Sequence, residues 1–170
     1  VVDDGYFTIV LNTNPYTYLG NRPLAIAPLD AAQAQELQAA WARRLGVPVE
    51  TTNRIGMKLI LIPPPGEASP AAYYLGKYEV TQGEWEQVMA DNPSIFGPEN
   101  PIVAGLDTSK FPVEQVSWFD SVEFGNKLSE HEGLQPWYEL TVTHRRGAAI
   151  AEAEVKILGG SGYHLPTDSQ

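Results

Sequence analysis

The side chains of this sequence that could do chemistry are few and scattered. The three histidines are His131, His144 and His164, and no two of them stand at a close metal-ligand spacing. Cysteine is absent, so these residues hold no thiolate metal site, no disulfide and no cysteine nucleophile. The acidic residues show no spacing that marks an acid/base pair. Gly159-Gly160-Ser161-Gly162 is rich enough in glycine to suggest a phosphate cradle. It lacks the lysine and the following helix that such a loop needs, and it reads as a flexible turn. No residue is therefore assigned a catalytic, cofactor-binding or metal-binding role.

Composition narrows the partners. A net charge of -10 argues against an electropositive nucleic-acid surface and against attraction to anionic lipid. The one dense basic cluster, His144-Arg145-Arg146, reads as a solvated hairpin tip. No stretch approaches the length of apolar chain that spans a membrane. The lack of cysteine leaves the redox compartment open. With 170 residues of which 43% are hydrophobic, the chain can bury one ordinary core and an appendage. The opening VVDDGYF has neither the basic start of a signal peptide nor an initiator methionine, so further sequence is expected ahead of it.

Three segments follow from the patterning. Residues 1–28 read as a β-hairpin: Tyr6–Leu11 is rich in β-branched and aromatic types, Asn12–Pro15 turns, and Tyr16–Leu19 returns. Residues 29–52 carry a linker helix. Asp30 and Gln33 form a capping box, Ala34, Leu37, Trp41 and Leu45 make one apolar stripe, and Gly46 with Pro48 stops it. Residues 53–170 alternate strands and helices, the pattern of an α+β domain with much irregular structure. Strands are expected over Met57–Ile62 and, broken by Gly76, over Tyr73–Val80.

Thr81 with Glu84 and Ser117 with Asp120 are further capping boxes. They open helices that should bury Trp85, Val88 and Met89, and Phe119, Val122, Phe124 and Leu128. A long loop over Asn92–Lys110 carries Pro93, Pro98 and Pro101, as functional surface loops often do. Trp137–Val142 and Glu154–Leu158 read as strands joined across THRRGAAIAEA.

The runs NRIGMKLILIPPPGE, YYLGKYEVTQGEWEQVM, FPVEQVSWFDSVEFGNKLSEHEGL and GYHLPTDSQ occur in that order over residues 53–170. In that order they resemble the formylglycine-generating enzyme, or sulfatase-modifying-factor, family. LDAAQAQELQAAWARRLGVPVETTN looks like the linker that precedes such domains in large bacterial multidomain proteins. The resemblance implies a C-type-lectin-like α+β fold, incomplete here. The family includes copper-dependent oxidases that convert a sulfatase cysteine to formylglycine, iron-dependent sulfoxide synthases, and members without established catalysis that bind ligands. Copper and calcium are thus expected only in a complete enzymatic relative.

The departures from the family pattern are specific. GEASPAA replaces a longer block, and Gly125 stands where a cysteine commonly follows the aromatic of the second helix. The oxidases' cysteines lie beyond the Leu165-Pro166-Thr167 motif. The resemblance makes Trp85 and Trp118 core aromatics, Thr81 and Ser117 helix caps, and Asp168 a first-turn carboxylate. A second, shorter likeness joins NTNPYTYLGNRPL, within residues 1–28, to the C-terminal domain of diacylglycerol-kinase-like lipid kinases.

The expected function is therefore a fragment of a sulfatase-modifying-factor-like protein, without catalysis by these residues. The alternatives are a carbohydrate- or protein-binding module of a bacterial regulator, and a lipid-kinase remnant fused to this domain. A domain cut before its last elements exposes apolar faces and open edges. Purified residues 53–170 should then aggregate or show weak near-ultraviolet dichroism; a sharp cooperative melt of a soluble monomer would contradict the truncation.

Overall fold

A computed structural model describes residues 7–12, 29–64 and 72–167. The return strand Tyr16–Leu19, most of the GEASPAA segment and Asp168 lie outside the described residues. Seven strands and three helices follow in chain order: β1 Val10–Asn12, α1 Ala31–Leu45, β2 Glu50–Thr52, β3 Lys58–Ile62, β4 Tyr73–Gly76, α2 Gln82–Met89, α3 Trp118–Glu132, β5 Tyr138–Arg146, β6 Ala149–Ile157 and β7 Tyr163–His164. The architecture is α+β. An antiparallel sheet has the order β2-β3-β4-β1-β7, and β5 and β6 form a separate two-stranded ribbon.

The helices start where the side chains can satisfy their free N–H groups. Asp30, Thr81 and Ser117 each accept from the backbone three residues on, and Gln33, Glu84 and Asp120 return the bond to the cap. Gly46 and Gly133 close α1 and α3 at φ 68° and 76°, a left-handed turn that glycine adopts without a Cβ penalty. The stripe of α1 faces inward, with Trp41 buried and Leu37 and Leu45 packed against the same core as β3 and β4. The helix expected as a linker, together with β2, is thus built into the domain.

The first segment is built in as well. Val10–Asn12 pairs with β4 on one side, and Val10 and Leu11 pair with His164 and Tyr163 of β7 on the other. Ile9 and Val10 are fully buried. An inner strand of the sheet therefore comes from a part of the chain more than sixty residues from either neighbour.

Several boundaries differ from the sequence reading. β4 ends at Gly76 rather than running to Val80, and at Gly76 a Cβ would collide with the Thr8 hydroxyl. The ribbon strands are longer than expected, since only Gly147 and Ala148 separate them. The loop of residues 92–110 contains two 3-10 turns, Pro101–Val103 and Thr108–Lys110.

One core assignment is overturned. Trp118 is 54% exposed, the first residue of α3, with its ring edge-on to Phe119. At a helix's first position the inward face is set by residues a turn further in, here Val122 and Phe124. Trp85 does occupy the core. Its indole stacks parallel on Phe124 at 5.3 Å, and Phe7 meets both rings edge-on at 6.1 and 5.7 Å. The two tryptophans should separate in denaturant melts. Trp85→Ala is expected to cost about 3–5 kcal/mol, whereas Trp118→Ala should stay within about 0.5 kcal/mol of the parent.

Candidate functional site

Two places gather polar or exposed side chains: the junction where α3, β7 and the ribbon meet, and the loop that follows α2. The junction is built by three polar side chains of α3, each bonded to the backbone of another element. Asp120 accepts the Ser117 N–H and hydroxyl at 2.9 and 2.6 Å with Oδ2. Its Oδ1 accepts the Ile150 N–H of β6 at 2.8 Å. Two turns along, Asn126 binds both backbone groups of Tyr138, donating to its carbonyl at 2.9 Å and accepting its N–H at 3.2 Å. Ser129 donates to the Gly125 carbonyl at 2.6 Å and accepts the Tyr163 N–H of β7 at 2.8 Å.

Glycine makes these approaches possible. At Gly125 an added Cβ would lie 3.2 Å from the Tyr163 carbonyl oxygen, tighter than an ordinary contact. At Gly160 and Gly162 it would sit under 3.0 Å from backbone oxygens of Gln135 and Pro136. The GGSG stretch expected to be merely a flexible turn is therefore a close-packed crossing over the α3–β5 connection. It offers no phosphate cradle among its committed neighbours.

Phenols line the same junction. Tyr163 is buried, and burial pushes its hydroxyl up to about 12, while the Asn53 amide donates to its oxygen at 3.3 Å. The Tyr138 hydroxyl is raised by burial too and accepts the Leu165 N–H at 3.1 Å. His164 is in β7 and buried, with its ring stacked on Trp137. Burial lowers its pKa below 6.5, opposed in part by the Leu165 carbonyl.

The three histidines do not meet. His131 ends α3 and His144 lies near the end of β5, both exposed, as are Arg145 and Arg146 at the ribbon tip. Among the described residues no three His, Asp or Glu side chains are placed to hold a metal ion. The copper of the family's oxidases calls for thiolates, and a chain without cysteine does not supply that donor set.

The loop after α2 inverts the usual arrangement. Its backbone is held by polar side chains: Gln82 donates to the Phe96 carbonyl at 3.2 Å, Glu114 accepts the Phe96 N–H at 2.8 Å, and Asn100 donates to the Ile95 carbonyl at 2.9 Å. Its large apolar side chains, Ile95, Phe96, Ile102 and Leu106, are exposed. Sequence reasoning noted the prolines of this stretch and passed over its four large hydrophobics, the available signal.

Removing a shared polar atom from the junction should be costly. Asp120→Ala leaves the Ile150 N–H buried and unpaired, an expected loss of about 1–3 kcal/mol in denaturant midpoints. Gly162→Ala should cost about 1–3 kcal/mol by overpacking, read from the same melts.

Comparison with known proteins agrees with this architecture. Residues 45–170 match the sulfatase-modifying factor enzyme 1-like domain. The Chaperone protein LppX of Paenibacillus barcinonensis is 36% identical over a 104-residue alignment that covers 58% of this chain and 34% of that protein. The chain thus spans about a third of the length of the curated relative it matches. Among solved structures, Treponema denticola variable protein 1 superposes with a TM-score of 0.50 at 26% identity, over 72% of this chain and 55% of the other. The match over residues 45–170, well over half of the sequence, makes the chain a member of the sulfatase-modifying-factor family.

Proposed function

We propose that these residues are the framework part of a sulfatase-modifying-factor-like domain within a larger, multidomain bacterial protein, and that they do not themselves oxidise a sulfatase cysteine. The observation that carries this reading is the commitment of the junction's polar side chains. Asp120, Asn126 and Ser129 spend their hydrogen-bonding capacity on backbone groups of neighbouring elements. A reacting group needs a free atom facing substrate, and these atoms are occupied. The lack of any cysteine supports the same reading, because the oxidase reaction runs through thiolates.

A second reading, a protein-binding module, is favoured by the loop of residues 92–110. A backbone fixed by hydrogen bonds presents Ile95, Phe96, Ile102 and Leu106 outward, so little ordering entropy would be lost on contact with an apolar partner. The name of the Paenibacillus relative, a chaperone protein, is in keeping with a surface offered to protein segments.

Both readings are open to direct test. The chain, incubated with a cysteine-containing sulfatase peptide, copper, reductant and oxygen, should leave the peptide unchanged by mass spectrometry; formylglycine in the product would overturn the framework reading. A longer protein that is an oxidase should carry two cysteines after Gln170 at copper-binding separation. For the binding reading, the parent chain should slow aggregation of a heat-unfolded client enzyme in light scattering. The Ile95→Asp, Ile102→Asp, Leu106→Asp variant should lose that effect while its own melt moves little, since these side chains are exposed. Equal behaviour of the two would remove the loop from the site.

A further inference from the structure

The boundary between the five-stranded sheet and the β5–β6 ribbon closes on one histidine. His164 is 1% exposed, and its ring lies on the Trp137 indole with centroids 4.1 Å apart and planes 26° from parallel. Its Nδ1 is 2.8 Å from the carbonyl oxygen of Leu165. A carbonyl can only accept, so Nδ1 carries the ring's proton and Nε2 is left with a bare lone pair. That Nε2 is buried and, among the described residues, has no hydrogen-bond partner.

The contacts around the ring join three elements. The Leu165 N–H donates to the Tyr138 hydroxyl, the Tyr163 N–H to the Ser129 hydroxyl, and the Leu158 N–H to the Trp137 carbonyl at 2.8 Å. A second proton on the ring would create an N–H without an acceptor, on a cation, in a slot already closed to water. Both consequences are unfavourable.

We infer that His164 is an acid-sensitive latch: its neutral ring holds β7 against the ribbon, and its protonation frees residues 158–165 from the ribbon while β2, β3 and β4 stay paired. The groups that face it do not compensate the added charge. Just before β5 comes the Trp137 indole, from β5 the Tyr138 phenol, and next along β7 stands Tyr163, with both phenols raised by burial and neutral in this range. From β1, Val10 and Leu11 lie opposite His164 and Tyr163. From α3, Gly125 and Ser129 approach β7, and the carboxylate felt there, Glu132, acts on Tyr163.

The sign of the effect follows. The closed state leaves His164 unprotonated, while a released imidazole takes a proton below its ordinary value of 6.5. Closure is therefore at full strength above that pH and weakens as pH falls, until the lowered value of the closed state is reached. One proton gives a slope of about tenfold in the closing equilibrium per pH unit.

The test uses the complete protein. Nitrogen-15 spectra of the labelled rings should show His164 as the Nδ1–H tautomer, taking its second proton only below about 6.5. Amide protection factors at Leu158, Tyr163 and Leu165 should fall by about tenfold per pH unit below that point, while Leu61, bonded to the Val49 carbonyl in the sheet, keeps its protection. His164→Phe retains the stack without the proton and should flatten the profile. An undiminished slope in that variant would overturn the latch. So would a native ring that protonates at about 6.5 or above, a measurement that decides the matter even if the variant fails to fold.

Discussion

Everything in this domain hangs from the parallel stack of Trp85 on Phe124, with Phe7 set edge-on against both rings. Three segments distant in sequence contribute one ring each: the approach to β1, α2 and α3. Aromatic pairs of this geometry contribute about 0.5–1.5 kcal/mol each beyond the apolar area they bury. Their larger effect is geometric. Once the two helices are locked face to face, the side of α3 that carries Gly125, Asn126 and Ser129 can point only at β7 and the ribbon.

From that orientation the polar junction follows. A hydroxyl on Ser129 reaches the Tyr163 N–H because Gly125 lets β7 come close, and Asn126 stands in for a neighbouring strand at Tyr138. These bonds are buried or partly buried, so each is difficult to lose without leaving a backbone group unpaired. The result divides the molecule. The polar atoms of Asp120, Asn126 and Ser129 are committed to architecture, while large apolar side chains are left outside, on a loop whose backbone is itself firmly tied down.

Much of this was legible beforehand. Each capping box joins residues three apart, so Asp30–Gln33, Thr81–Glu84 and Ser117–Asp120 declare their helices in the text. The inward stripe of α1 and the burial of Trp85 follow from periodicity in the same way. Trp118 misled because a large aromatic beside a cap looks like core, whereas its place on the helix turns it outward. The GGSG run misled for a related reason. Glycine reads as freedom in a sequence, and here Gly160 and Gly162 are required by lack of space. No functional residue was named from the sequence; Thr81 and Ser117, read there as helix caps, do cap α2 and α3.

The sequence by itself determined the helices, their starts, the α+β class and the family, because these depend on neighbours three or four residues away or on ordered motifs. Only the tertiary structure decided that Val10–Asn12 lies inside the sheet, between strands far along the chain in one direction and farther still. It alone placed His164 in a closed slot with one nitrogen unanswered among the described residues. Strand partners and burial depend on which distant surfaces meet. That is settled by the packing of the whole chain and written in no single stretch of it.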